Sequence, residues 1–163
     1  FINAEFIVLG GNNKNVSKIS SFYKNHTKCL SNNIIHTDLI SASLIKYTIN
    51  SFLASKVMFF NELNSLFKKS GTDESWENFI RAVSSDSRIG KSHMQVPGPD
   101  GRYGFGGSCF PKDSQAIYKY SLSLNSPLNI LKKVIDLNNS IRSSYDSSTN
   151  REKEQNIKFQ TKE

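Results

Sequence analysis

Apolar positions first gather in Phe6-Ile7-Val8-Leu9, closed by Gly10-Gly11, a run that predicts a short buried strand ending in a turn. Val16, Ile19, Phe22 and Tyr23 then recur at helical spacing, and Ile34-Ile35 marks a second extended piece between Asn32 and Asp38. Residues 1–37 therefore read as the closing strand–helix–strand of an α/β unit whose earlier strands are absent.

The dominant pattern follows, from about Leu39 to Lys69. Leu44, Ile45, Ile49, Phe52, Leu53, Val57, Phe60, Leu63, Leu66 and Phe67 keep a period near 3.6, and Gly71 is a stop signal. Such a helix is about 45 Å long, more than the width of a small domain. A helix that long and apolar calls for a partner from a second copy; a kinked core helix in a monomer is the plainer alternative. Thr72 or Asp73 is positioned to cap a second helix through Trp76, Phe79, Ile80 and Val83. Val96 to Gly104 is punctuated by Pro and Gly throughout and excludes regular structure. Helices restart at Pro111 and at Pro127, the latter with Ile130, Leu131, Val134, Leu137 and Ile141 on one face. From Ser143 apolar residues thin out, so 144–163 reads as a frayed or disordered tail. The expected architecture is mostly α: a long central dimerisation helix with shorter packed helices over 38–143, preceded by the α/β remnant of 1–37.

Composition narrows the function. The chain has 163 residues, 37% of them hydrophobic, enough for one ordinary core. Its formal charge of +7 is spread over scattered lysines (Lys14, Lys18, Lys24, Lys28, Lys46, Lys56), which argues against a nucleic-acid surface and suits an anionic small ligand. No apolar run is long enough to span a membrane. Cys29 sits in a polar stretch without catalytic neighbours, nothing indicates an oxidising compartment, and reduced thiols in the cytoplasm are expected. His26, His36 and His93 have no metal-ligand spacing with either cysteine, so no metal is expected.

The chemistry concentrates in Gly104-Phe105-Gly106-Gly107-Ser108-Cys109-Phe110-Pro111-Lys112-Asp113. Here a thiol stands between a glycine-rich turn and a helix start that Pro111 suits. Unpaired N–H groups, the positive end of a helix dipole and Lys112 all favour the thiolate, the nucleophilic form. Asp113, one helical turn on, is placed to orient water or act as a base, or simply complements the dipole. Lys46 and Asn50 share one face of the long helix. They are either a surface lysine with a neighbouring amide or two donors aimed at a developing oxyanion. Arg88 is either a surface arginine or a ligand contact near the loop. Gly104, Gly106 and Gly107 permit a tight turn or let main chain approach a ligand. No G-x-G-x-x-G is present.

Taken in order, Lys46 to Val57, Asn61-Glu62, Arg88-Ile89-Gly90 and Gly104 to Asp113 resemble the UDP-glucose 6-dehydrogenase family over roughly residues 4 to 142. The Gly-Phe-Gly-Gly-x-Cys-x-Pro-Lys-Asp run is highly specific, and Arg-Ile-Gly with Gly-Phe-Gly-Gly looks more like the UDP-glucose branch than the GDP-mannose or N-acetylhexosamine branches. The resemblance implies that residues 1–37 end an NAD-binding Rossmann domain and that 38–143 form a helical dimerisation and catalytic domain. It implies that Cys109 attacks the aldehyde left by a first hydride transfer to NAD, that a second transfer gives a thioester, and that water releases UDP-glucuronate. Lys46 and Asn50 would hold the oxyanion, the water and the sugar, and Asp113 would assist proton transfer. Phe105, Gly106 and Gly107 would line the sugar site, Arg88 would reach across a homodimer interface to the UDP-sugar, and Lys112 would contact the cofactor. Ser43 stands where the family typically has a glutamate, and the loop from Val96 to Arg102 is longer than in many relatives. No counterpart is found for the family's acid/base glutamate or Gly-rich cofactor loop. The chain is therefore expected to be a central segment, inactive alone. A non-catalytic dimerisation module that kept the motif, and a basic nucleic-acid-binding helical domain, are the competing readings.

Overall fold

A computed structural model describes residues 4–28 and 33–159, which form two compact units, Phe1–Thr48 and Ile49–Glu163. Cys29 lies outside the described residues. As expected, the chain is mostly helical, with one long helix preceded by a small parallel sheet.

In the first unit β1 (Ile7–Gly10) leads into helix α1 (Asn13–His26) and then β2 (Ile34–Thr37). The strands pair in parallel from Ile7↔Ile34 to Gly10↔Thr37, the pairing that an intervening helix makes possible. Asn12 caps α1 by accepting the Asn15 N–H at 2.9 Å. The long helix α2 (Leu39–Lys69) starts at Asp38, whose carboxylate accepts the Ser41 N–H at 2.9 Å and the Ser41 hydroxyl at 2.6 Å. That hydroxyl, and then the N–H, hold the Asp38 carboxyl below its ordinary value. The first unit closes at Thr48, past the boundary expected at 37. The reason is close packing: a side chain on Gly10 would meet the Ala42 Cβ at 2.6 Å, so the first turns of α2 sit directly on β1.

The second unit holds the rest of α2 with α3 (Trp76–Val83), α4 (Phe110–Ser123), α5 (Asn129–Ser143) and α6 (Asn150–Glu154). Two apolar clusters are built on α2. One joins Ala54, Met58 and Phe105 with Val134, Leu137 and Ile141 of α5; the other joins Phe60, Met94 and Val96 with Trp76, Ile80 and Val83 of α3. Among the described residues no helix is long and apolar enough to cross a membrane.

Two features differ from those expected. The cap of α3 is Ser75, which accepts the Asn78 N–H at 3.1 Å, and neither Thr72 nor Asp73. The tail expected to be structureless from 144 instead carries α6, closed by a capping box between Thr149 and Glu152. Its cause is electrostatic. The Arg142 side chain on α5 is fully buried, and Glu152, itself 1% exposed, supplies the buried counter-charge.

Candidate active site

The glycine-rich loop is fixed from two helices. The Gly104 N–H donates to Asn61 Oδ1 of α2 at 2.9 Å, and the Phe105 N–H donates to Asn138 Oδ1 of α5 at 2.6 Å. Gly104 has φ +74°, and a side chain there would lie 2.6 Å from Asn138 Oδ1, so this turn requires glycine. Phe105 is buried between the two helices, which leaves Gly106, Gly107 and Ser108 as the segment that delivers Cys109.

Cys109 is the N-cap residue of α4, with Pro111 in the first turn, and its side chain makes no capping bond. The thiol is exposed, 3.6 Å from the Ser108 hydroxyl, and its own carbonyl accepts the Asp113 N–H at 2.8 Å. One turn inward, the fully buried Asp113 carboxylate accepts the Asn50 amide at 2.6 Å on one oxygen and the Lys112 ammonium at 2.5 Å on the other. The structure thus brings together Asn50, Lys112 and Asp113 as one polar cluster directly behind the thiol-bearing turn.

Two other expected site residues have local partners of their own. Lys46 belongs to the first unit, where its ammonium lies 5.0 Å from the centre of the Tyr47 ring. Arg88 forms a two-pronged pair with Asp86, at 3.0 Å through Nε and 2.6 Å through Nη2, and its side chain is 86% exposed. The pair raises the guanidinium's affinity for its proton and lowers the Asp86 carboxyl.

Several residues without a role in the sequence reading shape the site. Lys56 of α2 donates to the carbonyls of Ile89 and Gly90 at 2.9 and 3.3 Å, tying the Arg88 loop to α2, and burial pushes its ammonium down. His93 adopts φ 64° and places its ring 5.4 Å from that of Phe110. Burial, and then the Lys56 charge, keep its imidazole below the ordinary value. No periodicity signals a histidine in the left-handed region. His93, Gly104, Gly107, Phe110, Thr149 and Arg151 border a cavity of about 680 Å³, the size of a small-molecule site. Among the described residues no three His, Cys, Asp or Glu side chains gather so as to hold a metal ion.

Residues 40–140, which contain α2 from its second residue on, the glycine-rich loop and Cys109, match the profile of the UDP-glucose/GDP-mannose dehydrogenase family, central domain. The chain belongs to that family. Among its relatives, the UDP-glucose 6-dehydrogenase of Rickettsia bellii (strain RML369-C) is 39% identical over 140 residues, 85% of this chain and 30% of that protein. UDP-glucose 6-dehydrogenase TuaD of Bacillus subtilis (strain 168) is 38% identical over 105 residues, 64% of this chain and 21% of that protein. A UDP-glucose dehydrogenase structure from Pyrobaculum islandicum superposes with a TM-score of 0.73 at 33% identity, covering 86% of this chain and 30% of that one. The chain thus spans less than a third of the length of these relatives.

Family membership raises the question of a dinucleotide, and the described residues do not fit a whole one. The order strand, Gly10-Gly11, helix is present in β1 and α1. Yet the space beside Gly10 is filled by Ala42, and the start of α1 is already capped by Asn12. Lys112, the expected cofactor contact, donates to Asp113 and keeps its side chain half exposed.

Proposed function

We propose that this chain is the central, thiol-bearing part of an NAD-dependent UDP-glucose 6-dehydrogenase that works in the cytoplasm and forms UDP-glucuronate. The observation that carries this reading is an exposed cysteine at the N-cap of α4, delivered by a glycine-rich loop that two asparagines fix. Cys109 adds to the C6 aldehyde of the sugar nucleotide to give a thiohemiacetal, and after its oxidation water releases the acid from the thioester. A thiolate suits both steps, since it attacks carbonyls readily and leaves readily from a thioester. Lys46 and Asn50 stabilise the oxyanion and position the water, with Asp113 assisting proton transfer. Phe105, Gly106 and Gly107 line the sugar. The oxidations require NAD bound by groups beyond the described residues, so these 163 residues alone do not turn over.

The working unit is a homodimer through α2. Ile49, Phe52, Phe59 and Leu66 of the second unit are all exposed and recur at coiled-coil-like spacing on one face. Arg88, so exposed in its own chain, is available to a sugar nucleotide held by the second copy.

The test offers the chain UDP-glucose bearing a C6 aldehyde and follows alkylation of each cysteine by iodoacetamide with peptide mass spectrometry. The aldehyde is expected to shield Cys109 and leave Cys29 unaffected. Unchanged Cys109 labelling at saturating aldehyde overturns the nucleophile assignment. Robust NAD reduction with UDP-glucose by the chain alone overturns its dependence on further segments.

A further inference from the structure

Residues 145–159 lie past the part of the chain that the family profile matches, yet they converge on one buried side chain of α5. The Arg142 guanidinium pairs with Glu152 Oε1 through Nη2, and its carbon lies 5.7 and 5.6 Å from the centres of the Tyr145 and Phe159 rings. On its other side Arg142 Nη1 donates to Asp100 Oδ2 at 2.9 Å and reaches the Tyr103 carbonyl at 3.5 Å. Any side chain on Gly106 would run into Arg142 Nη2 and Glu152 Oε1, so the ion pair lies directly against the loop's main chain.

Further bonds tie the same two segments together. Arg102 donates to the Ser147 carbonyl at 2.6 Å and to its hydroxyl at 3.2 Å, and the Tyr103 N–H donates to the Tyr145 hydroxyl at 2.8 Å. Thr149 and Arg151 complete one wall of the cavity that Gly104 and Gly107 also border. A buried guanidinium needs a full counter-charge, and Gly106, the first loop residue past the two that Asn61 and Asn138 fix, lies against that guanidinium. Asp100 supplies one carboxylate to Arg142, and Glu152 of the 145–159 segment supplies the other, on the side that faces Gly106.

We infer that residues 145–159 clamp the glycine-rich loop of the active site, with Glu152, acting through Arg142, as the positioning residue that sets the main chain leading to Cys109. The inference rests on Cys109 being the working group of the site. Its test does not use turnover, so its failure is separate from failure of the aldehyde experiment.

The experiment compares the full chain with Glu152→Gln, which keeps the shape and removes the charge, and with Thr149→Ala, which keeps the ion pair and removes the cap hydroxyl. Each folded protein is followed by amide hydrogen exchange and by the rate of Cys109 alkylation, well below its melting midpoint. In Glu152→Gln, exchange over Gly104 to Cys109 is expected to rise about tenfold, with peptides of β1 and α3 unchanged. The rate of Cys109 alkylation is expected to change about threefold as the main chain that carries the thiol moves. Thr149→Ala is expected to move both readouts the same way by less, and it decides alone if Glu152→Gln does not fold. The clamp is overturned if exchange rises evenly across the second unit, if Cys109 alkylation stays within a factor of about 1.5 of the parent in the variants that fold, or if neither readout changes.

Discussion

Asn50 and Asp113 are 63 positions apart in sequence and meet at 2.6 Å, the amide of α2 donating to the buried carboxylate of α4. This bond, with the Lys112 ammonium on the other oxygen, anchors the first turn of α4 and hence the N-cap position that Cys109 occupies. Asp113→Ala leaves the Asn50 amide facing a void. We expect a loss of about 2–3 kcal/mol in urea unfolding, the range for hydrogen bonds to a charged group, with the half-exposed Lys112 contributing little. A double-mutant cycle with Asn50→Ala should show a coupling of about 1–2 kcal/mol. Additive losses would mean that the bond contributes nothing.

The glycines of the loop are predicted to differ sharply. Gly104 and Gly107 share φ near +74° and +73°, but only Gly104 has a neighbour in the way. Gly107→Ala should cost about 1–2 kcal/mol, the price of a left-handed alanine alone. Gly104→Ala adds a collision with Asn138 Oδ1 and displaces the acceptor of the Phe105 N–H, so it should cost about 3 kcal/mol or more. Equal losses in thermal or urea unfolding would show that the loop relaxes freely around residue 104.

Where a pattern repeats, the sequence is a good guide. The apolar period from Leu39 to Lys69 returns α2 with the same ends, and Phe6 to Leu9 returns β1 shifted by one residue. Cys109 at a helix start follows from Gly107 before it and Pro111 after it. What escapes is held by single long-range contacts. Glu152 pairs with Arg142 from a five-residue helix that has no apolar face, so hydropathy reads only a charged tail. The one local signal is Thr149-x-x-Glu152, the spacing of a capping box. Asn61 and Asn138 pass for helix-surface amides until the fold brings the Gly104 and Phe105 N–H groups to them.

Acid should loosen the same region. Burial alone would raise the Glu152 carboxyl, but the Thr149 N–H, the Arg142 guanidinium and the Thr149 hydroxyl together outweigh it and hold the group below its ordinary value of 4.5. A folded-state value below the unfolded one gives stability that is fully present above the unfolded value and lost as pH falls through the folded one. The melting temperature of the parent should therefore exceed that of Glu152→Gln near neutral pH, and the gap should narrow as pH falls below the ordinary value of 4.5. A gap that stays constant down to pH 3 would show that Glu152 contributes through packing and not through its charge.

Phe59 of α2 is 60% exposed and lies midway along the stripe of Ile49, Phe52 and Leu66; it belongs to neither apolar cluster and meets them through an edge contact with Phe60 at 5.4 Å. In a two-fold dimer every substitution acts twice. Removing a buried phenylalanine from each copy costs about 2 kcal/mol per copy, and a glutamate in its place adds the burial of a charge. Phe59→Glu should thus weaken association by about 4 kcal/mol, roughly a thousandfold, with the circular dichroism spectrum unchanged. Sedimentation equilibrium of parent and variant measures this directly. If the parent is monomeric at concentrations where such an interface closes, or if Phe59→Glu associates as well as the parent, the exposed face of α2 is not where two copies meet.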